Sequence, residues 1–462
     1  MRQMLVTVLI TAGAVLALEW QPEVRLTENN YSDYSFWSTQ RRIAVDPQGR
    51  VHCVWYVMNS ALGTYRFQVY YKRYNPGQGW TQDTMISFDL YNRNLNCKYP
   101  SLAIDSSGVV YAVWAAGGTD DADEYIYIKS CVPSGRGNDG WEESSRLISV
   151  SAPAVEKGCP TVASGPDGNI QVTWLEGVNI LHRERRDTVW LEPRVVEGGT
   201  NYKAYPAVAV GPDNRVHIVW YGREGVSGYY DVFYKVRTDT VWGATENVSQ
   251  ANRHQMYPSI AVNPVTGNPH ILWQSYGADN HRRIVHRFRT NAGWQPADTV
   301  SGVRDSLNQE PGQIVFTPNG MGYALWTGKS ESSLVVVQVR CAERMNNGVW
   351  GPAYDVTRAT NTRERPAIAA GNGSAPNDIV AIWTDYRDGN AEMYFASASP
   401  SQFIQEAVRF ESKPVRATIV AQNGLRFKGQ LFDPLGTKVQ QLKPGVYFLK
   451  DGTDRRRLVL VK

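Results

Sequence analysis

The chain has 462 residues, with 48 Lys and Arg against 44 Asp and Glu and a formal net charge of +4. So even a balance, without a basic stripe, argues against nucleic acid as a partner, and five cysteines over this length are not a disulfide scaffold. Fifteen Trp and twenty-five Tyr suit pleated, half-buried surfaces, while forty Gly and twenty-four Pro supply turns, so the composition describes a globular β-rich protein.

The first segment, "MRQMLVTVLITAGAVLA", carries Arg2, an apolar run and then the small-residue end Val15-Leu16-Ala17. That is the pattern of a secretory signal cut after Ala17. The stretch is short of the ~20 apolar residues that a membrane-spanning helix needs, and no later stretch reaches that length. The expected mature chain therefore acts outside the cytoplasm with no transmembrane span.

From there the sequence repeats. Seven times a short apolar triplet, a turn of Asp, Asn, Gly or Pro and a second apolar run end in Trp, at Trp55, Trp114, Trp174, Trp220, Trp273, Trp326 and Trp383. The interval is roughly 50 residues, the size of one propeller blade. Triplets such as Ile43-Ala44-Val45 and Ile260-Ala261-Val262 are continuous rather than alternating, which marks strands covered on both faces. Turns such as "DPQG" and "GPDN" pair the two strands antiparallel. A third, alternating strand follows each Trp, as in "QVYYKRY" and "DVFYKVR", and in six units a fourth opens at Trp80, Trp141, Trp190, Trp242, Trp294 or Trp350.

The seventh unit ends at "EMYFAS" without a fourth strand, whereas the mature chain begins "EWQPEVRLT". Trp20 is the missing Trp. The sequence therefore predicts an all-β protein, a seven-bladed β-propeller over 18–398 closed by its N-terminal strand, with no open sheet edge at the seam.

In this ring the turns between first and second strands are short, and long polar loops crowd the opposite face, where binding residues usually sit. The residue before each first-strand Pro is expected near the axis on that face: Gln40 by position in the first unit, then Tyr99, Cys159, Tyr205, Tyr257, Glu310 and Arg365. Tyrosines with a carboxylate and an arginine suit a sugar, by stacking and hydrogen bonds; equally, Tyr-Pro packs the start of a strand. Glu364, Asp385 and Arg387 complete the ligand-binding candidates, and in "DYRDGN" Asp385, Arg387 and Asp388 also suit a loop-bracing ion pair. Two carboxylates held ~5 Å or ~6.5–9.5 Å apart would serve glycoside hydrolysis, and Glu310, Glu364 and Asp385 are the residues available for it.

Metal is not expected. His52, His217 and His270 occupy one repeat position in three different blades. The acidic run Asp120, Asp121, Asp123 and Glu124 has calcium-type oxygens without a ligand spacing, and a solvated loop accounts for it as well. Cys97 and Cys159 stand just before two successive repeats and are the pair considered for a bridge.

The repeats "AVDPQGRVHCVW" and "AIDSSGVVYAVW" resemble the blades of sialidase-like, BNR-repeat propellers. That resemblance covers 19 to about 398 and implies a glycan site on the long-loop face and, in the family's enzymes, an Arg triad, a Tyr nucleophile with its Glu, and an Asp acid. Two features depart from it. No copy matches the Ser-x-Asp-x-Gly-x-Thr-Trp box, and seven units exceed the six blades of sialidases. Arg41, Arg42, Arg223, Arg363, Arg365 and Arg387 are the arginines available on the loops or near the axis, and the resemblance assigns none a catalytic role.

After residue 398 the repeat stops. The stretch "LFDPLGTKV", then "LKPGVYFLK", a basic turn and a final "LVLVK" resembles the C-terminal sorting domain of the type IX (Por) secretion system. By that resemblance Gly445, Tyr447 and Lys462 fall at the signal's characteristic positions, and secretion machinery is an expected partner. The other reading is a small β-sandwich accessory domain with a basic hairpin at Arg455, Arg456 and Arg457. Taken together, the sequence points to a secreted or surface-attached propeller that binds a glycan or a protein. A sialidase-like glycoside hydrolase and a purely structural surface repeat are the rivals, and a convergent Arg cluster facing Tyr and Glu at the axis would favour the hydrolase.

Overall fold

The computed structural model describes residues 18–34, 41–118, 124–133, 140–150, 155–223, 228–302, 307–330, 333–344, 348–357, 363–371, 379–399, 430–432, 445–451 and 454–460. Seven antiparallel sheets follow one another along the chain, one per repeat, and make a seven-bladed propeller. Blade 4 is representative. Its inner strand Lys203–Val210 pairs with the second strand Val216–Gly222, which pairs with the third, Asp231–Thr238; the short outer strands Val241–Trp242 and Glu246–Asn247 complete the sheet. The inner turn closes through Asn214, which takes the left-handed conformation (φ 61) that Asn tolerates better than most residues.

The repeated Trp explains why blades stack. All seven are among the largest fully buried side chains, and each packs into the blade before its own. Trp114 lies with Val54, Val69 and Tyr71 of blade 1, Trp273 with Val219, Tyr221 and Val232 of blade 4, and Trp55 with Val380, Ile382 and Phe395 of blade 7. The outer-strand Trp repeats the device one layer out. Trp141 meets Tyr71 edge-on at 5.0 Å, Trp294 meets Tyr234 at 5.2 Å, and Trp80 meets Phe395 of blade 7 at 5.0 Å. Edge-to-face contact is the favourable arrangement for rings at these spacings.

The seam is closed as the sequence predicts. Glu19 and Trp20 pair with Ser399 and Ala398, and Val24 and Arg25 pair with Phe395 and Tyr394. Side chains reinforce it: the fully buried Glu392 accepts from Arg25 Nη2 at 2.9 Å and from Thr27 Oγ1 at 2.5 Å. The same N-terminal segment continues into Ser32–Tyr34, which pairs with Tyr56 to Met58. Blade 1 therefore has an inner strand in two pieces, Ser32–Tyr34 and Ile43–Val45, both on Val51–Met58.

The inner strands converge on an axial cavity of about 250 Å³ at the level of the triplets. Its wall carries Ala44, Ala103, Ala163, Ala209, Ala261 and Ala369, the middle residue of the triplet in six blades. Blade 6 places Val315 at the same position.

The chain divides into Met1–Gln402 and Phe403–Lys462. In the second unit Gln430–Phe432, Gly445–Asp451 and Asp454–Leu460 form an antiparallel three-stranded sheet. Arg455, Arg456 and Arg457 lie on its last strand, opposite Lys450, Leu449 and Phe448. Among the described residues no helix is long and apolar enough to cross a membrane.

Candidate functional site

The residue-Pro pair that opens each inner strand proves to be a β-bulge. In blade 4 the register runs from Ala204–Tyr221 to Ala207–Val219, so Tyr205 and Pro206 together oppose Trp220. Blades 2, 3, 5 and 7 repeat it at Tyr99-Pro100, Cys159-Pro160, Tyr257-Pro258 and Arg365-Pro366. Proline has no N–H to lose from the ladder, and it disfavours the right-handed helical region for the residue before it. That residue is left-handed in all five, with φ between 49° and 60°. Left-handed backbone costs a non-glycine residue about 1–2 kcal/mol, so packing holds these residues in place. Blade 6 departs from the pattern: Gly312 pairs with Trp326, a shift of one, and Glu310 has no positive φ.

The bulges bring side chains of different blades together at the start of the inner strands, on the long-loop face. Tyr205 and Tyr257 meet edge-on at 5.1 Å, and Tyr99 meets Tyr56 at 6.1 Å. Tyr99 and Cys159 lie near Tyr205, Glu310 near Tyr257, and Glu364 near Glu310, while Glu364 pairs with Arg365 at 3.5 Å. Arg365 in turn lies near Tyr56, so the circle is complete. Each of its pre-proline residues and Glu364 is half-buried, with one side facing solvent. Tyr221 fills the space behind, stacked on Tyr205 at 5.8 Å and edge-on to Tyr257 at 5.2 Å.

Charge is unevenly spread around this ring. Burial raises the Glu310 carboxyl above its ordinary range, while Arg282 pairs with it at 2.7 Å and Gln274 Nε2 donates to it at 3.3 Å. Tyr386 donates to Glu364 Oε2 at 3.4 Å, and its hydroxyl is pushed up to about 12, by burial first and the neighbouring carboxylate second. Arg42 is fully buried beneath Arg365. Its Nη2 donates to the Arg365 carbonyl at 2.6 Å, whereas Nε and Nη1 have no hydrogen-bond partner among the described residues, and burial pulls its guanidinium down to about 9. Arg41, its neighbour, lines the axial cavity and donates across it to the Ile260 carbonyl at 2.9 Å.

Tyr56, Tyr221 and Tyr386 are the ring residues that sequence reading missed. The signal was available, since strand alternation turns the positions one and three after each Trp to the face opposite the indole.

Other candidates fall elsewhere. Asp385 is fully buried in blade 7, paired with Arg363 Nε at 3.1 Å and Arg387 Nη2 at 2.5 Å, and Arg387 also reaches Glu23. These two residues brace the seam. His52 and His217 bond to Tyr71 and Tyr234 of their own blades, both at 2.7 Å, and His270 to His286 at 2.9 Å. Burial lowers the pKa of all three histidines. None of the five cysteines, all among the described residues, forms a disulfide. The Cys97–Cys159 bridge considered from the sequence does not form; Cys97 pairs with Ala116 inside blade 2, and Cys159 is a bulge residue of blade 3. Asp120, Asp121 and Asp123 lie outside the described residues, as does Lys462, while Gly445 opens the middle strand of the C-terminal sheet and Tyr447 follows within it, opposite Leu458. Among the described residues no three His, Cys, Asp or Glu side chains gather as a metal site.

The fold and ring define a seven-bladed propeller with an aromatic, charged mouth on its axis. No known family and no curated protein matches the sequence. Solved structures do match in fold. An ulvan lyase of polysaccharide lyase family PL25, bound to GlcA(1-4)Rha3S, shares 12% identity at a TM-score of 0.54 and covers 81% of this chain and 95% of its own. The polysaccharide lyase Uly1 shares 11% at 0.50, covering 82% and 99%. A Hadza microbial sialidase shares 14% at 0.41, covering 64% and 66%. At these identities the likeness is one of fold.

Proposed function

We propose that this protein binds glycans through the tyrosine-lined ring on its long-loop face. The observation that carries the reading is the convergence of Tyr99, Tyr205, Tyr257, Glu310, Glu364 and Arg365, drawn from five blades, around one open mouth. Aromatic faces stack on sugar rings, and carboxylates and a guanidinium fix hydroxyls in orientation. The polysaccharide-directed names of two matching solved structures agree with a carbohydrate ligand. Export by the N-terminal signal and the C-terminal sorting segment, to the outer surface or the medium, is part of the same proposal; Gly445, Tyr447 and Lys462 are its sorting residues. A glycan array probed with the purified protein tests it: saturable binding to a defined set of sugars is expected, and a blank array would overturn it.

A second reading, cleavage of the bound glycan, has one specific observation in its favour. Tyr386 is hydrogen-bonded to Glu364 beside Arg365 and Arg42, a tyrosine-carboxylate pair flanked by cations. Chromatography of array-positive oligosaccharides after incubation decides it. Shortened products lost in Tyr386→Phe would make the protein an enzyme, and unchanged substrate would leave it a binding protein.

A further inference from the structure

One layer of the propeller recurs from blade to blade; blade 2 places Cys97 and Ala116 there, with the Trp114 N–H unpaired among the described residues, and blade 4 departs from the layer in a different way. In blades 3 to 7 the residue two after the second-strand Trp pairs with a residue at the start of the inner strand: Lys157 with Glu176, Lys203 with Gly222, Gln255 with Ser275, Gln309 with Gly328, Arg363 with Asp385. This layer gives the buried indole an acceptor. Trp174 donates to Glu176 at 3.1 Å, Trp273 to Gln255 at 2.6 Å, Trp326 to Gln309 at 2.8 Å and Trp383 to Asp385 at 3.3 Å. Blade 7 shows the full set, a single carboxylate oxygen, Asp385 Oδ2, between the indole N–H and Arg363 Nε.

Blade 4 keeps the indole and the cation and lacks the acid. Trp220 is 1% exposed and Lys203 6%, but glycine stands at 222. Lys203 is itself a donor, so the Trp220 N–H has no acceptor among the described residues. In place of a carboxylate there is a cavity of about 60 Å³, lined by Lys203, Trp220 and Gly222, with Asn201, Tyr202 and Arg223 also on its wall. Lys203 Nζ spends two donors on the Val178 and Asn201 carbonyls, at 3.2 and 3.1 Å, which leaves a third. The acid on the wall, Glu197, is already engaged by Lys235 at 3.1 Å and by Thr245 at 2.5 Å. A buried indole N–H beside a buried ammonium favours a group that accepts from both.

We infer that this cavity is a carboxylate-binding pocket, in which an acid group from a ligand accepts from the Trp220 indole and the Lys203 ammonium. A cavity of this size is small beside the ~300–1,000 Å³ of ordinary ligand sites, so it suits a small polar head group. The remainder of the ligand must lie outside, past the exposed Asn201, Tyr202 and Arg223. The inference stands apart from the axial ring and does not depend on it. The acid could come from a small free carboxylate or from a sugar acid.

The test is a titration of the full chain followed by the indole N–H signals in two-dimensional nitrogen–proton NMR, with the Trp220 signal assigned by Trp220→Phe. Sodium acetate, at constant ionic strength set by sodium chloride, is expected to move the Trp220 signal saturably and to leave the Trp383 signal in place. Lys203→Met should weaken acetate at least tenfold. Asn201→Asp, an exposed change that adds a like charge on the pocket wall, should weaken it several-fold, and serves if the lysine variant does not fold. Movement with both acetate and glucuronate assigns the pocket to sugar acids, whereas movement with acetate alone assigns it to small free acids. A Trp220 signal that ignores both, or that follows chloride equally, overturns the inference.

Discussion

Removing the strand that closes the ring should undo much of the propeller's stability, although the deleted residues belong to no blade in sequence order. Deletion of 18–26 exposes the sites of Leu18 and Leu26, which are 5% and 4% exposed, and burying a leucine is worth about 1.5–3 kcal/mol. It also removes the backbone bonds from Gln21 to Ser397 and from Leu26 to Met393, each about 0.5–1.5 kcal/mol net. Finally it takes Arg25 from Glu392, a carboxylate with no solvent exposure, and a buried charge left without its partner costs about 3–5 kcal/mol. Together these terms are comparable with the roughly 5–15 kcal/mol that holds a typical domain folded. The deletion is therefore expected to unfold or to melt far below the parent in circular dichroism, and a synthetic peptide of residues 18–31 should restore part of the loss. Leu26→Ala alone should cost about 2–5 kcal/mol, while Val24→Ala, at a side chain 42% exposed, should stay within about 0.5 kcal/mol. A deletion that melts with the parent would refute the closure.

The seam also carries a pH dependence. Burial raises the Asp33 carboxyl from its ordinary 3.8 to about 7, with the Glu392 carboxylate adding to the rise. Between those values the folded state holds a proton that the unfolded chain has released, so this group's contribution to stability falls as pH rises towards 7 and levels off above it. The limiting slope is about 1.4 kcal/mol per pH unit. Urea unfolding of the parent and of Glu392→Gln at several pH values measures it, and the variant should give the flatter dependence. The cysteines give a simpler check. Cys53, Cys97 and Cys341 are fully buried, and burial pushes their thiols well above the ordinary range, as it does the half-buried Cys159. The native protein should resist iodoacetamide at neutral pH, with Cys159 the first to react under forcing conditions, and all five should alkylate in denaturant without prior reduction; a requirement for reductant would contradict the free thiols.

The frame was legible because seven copies of one pattern average out local ambiguity. The Trp spacing, the turn residues and Trp20 standing in for a missing seventh outer strand together specified a ring and its seam. What stayed hidden depended on register. Tyr-Pro read as a sugar platform or a strand start, and only the pairing of Ala204 with Tyr221 and Ala207 with Val219 revealed a bulge opposite Trp220. Asp385 looked like a site residue because it is an acid on a polar loop; its ladder partner Arg363 makes it a brace. Ser32–Tyr34 was missed because "SDY" has no triplet pattern, yet Asp33 accepts the Trp55 N–H at 2.8 Å, as Gln255 and Gln309 do for the Trp of their own blades. Strand alternation already turned Tyr56 and Tyr221 away from the indole; their contacts with Tyr99, Tyr205 and Tyr257 became visible only once two blades were placed side by side.

The central claim is that the axial ring is a glycan-binding surface. Isothermal titration of the best array ligand against the parent, Tyr257→Ala and Glu310→Gln, with matched thermal melts for each protein, tests it most directly. The account predicts that affinity falls at least tenfold in both variants while melting stays near the parent, because both side chains are half-buried at the mouth. Unchanged affinity in both variants would place the sugar elsewhere and contradict it.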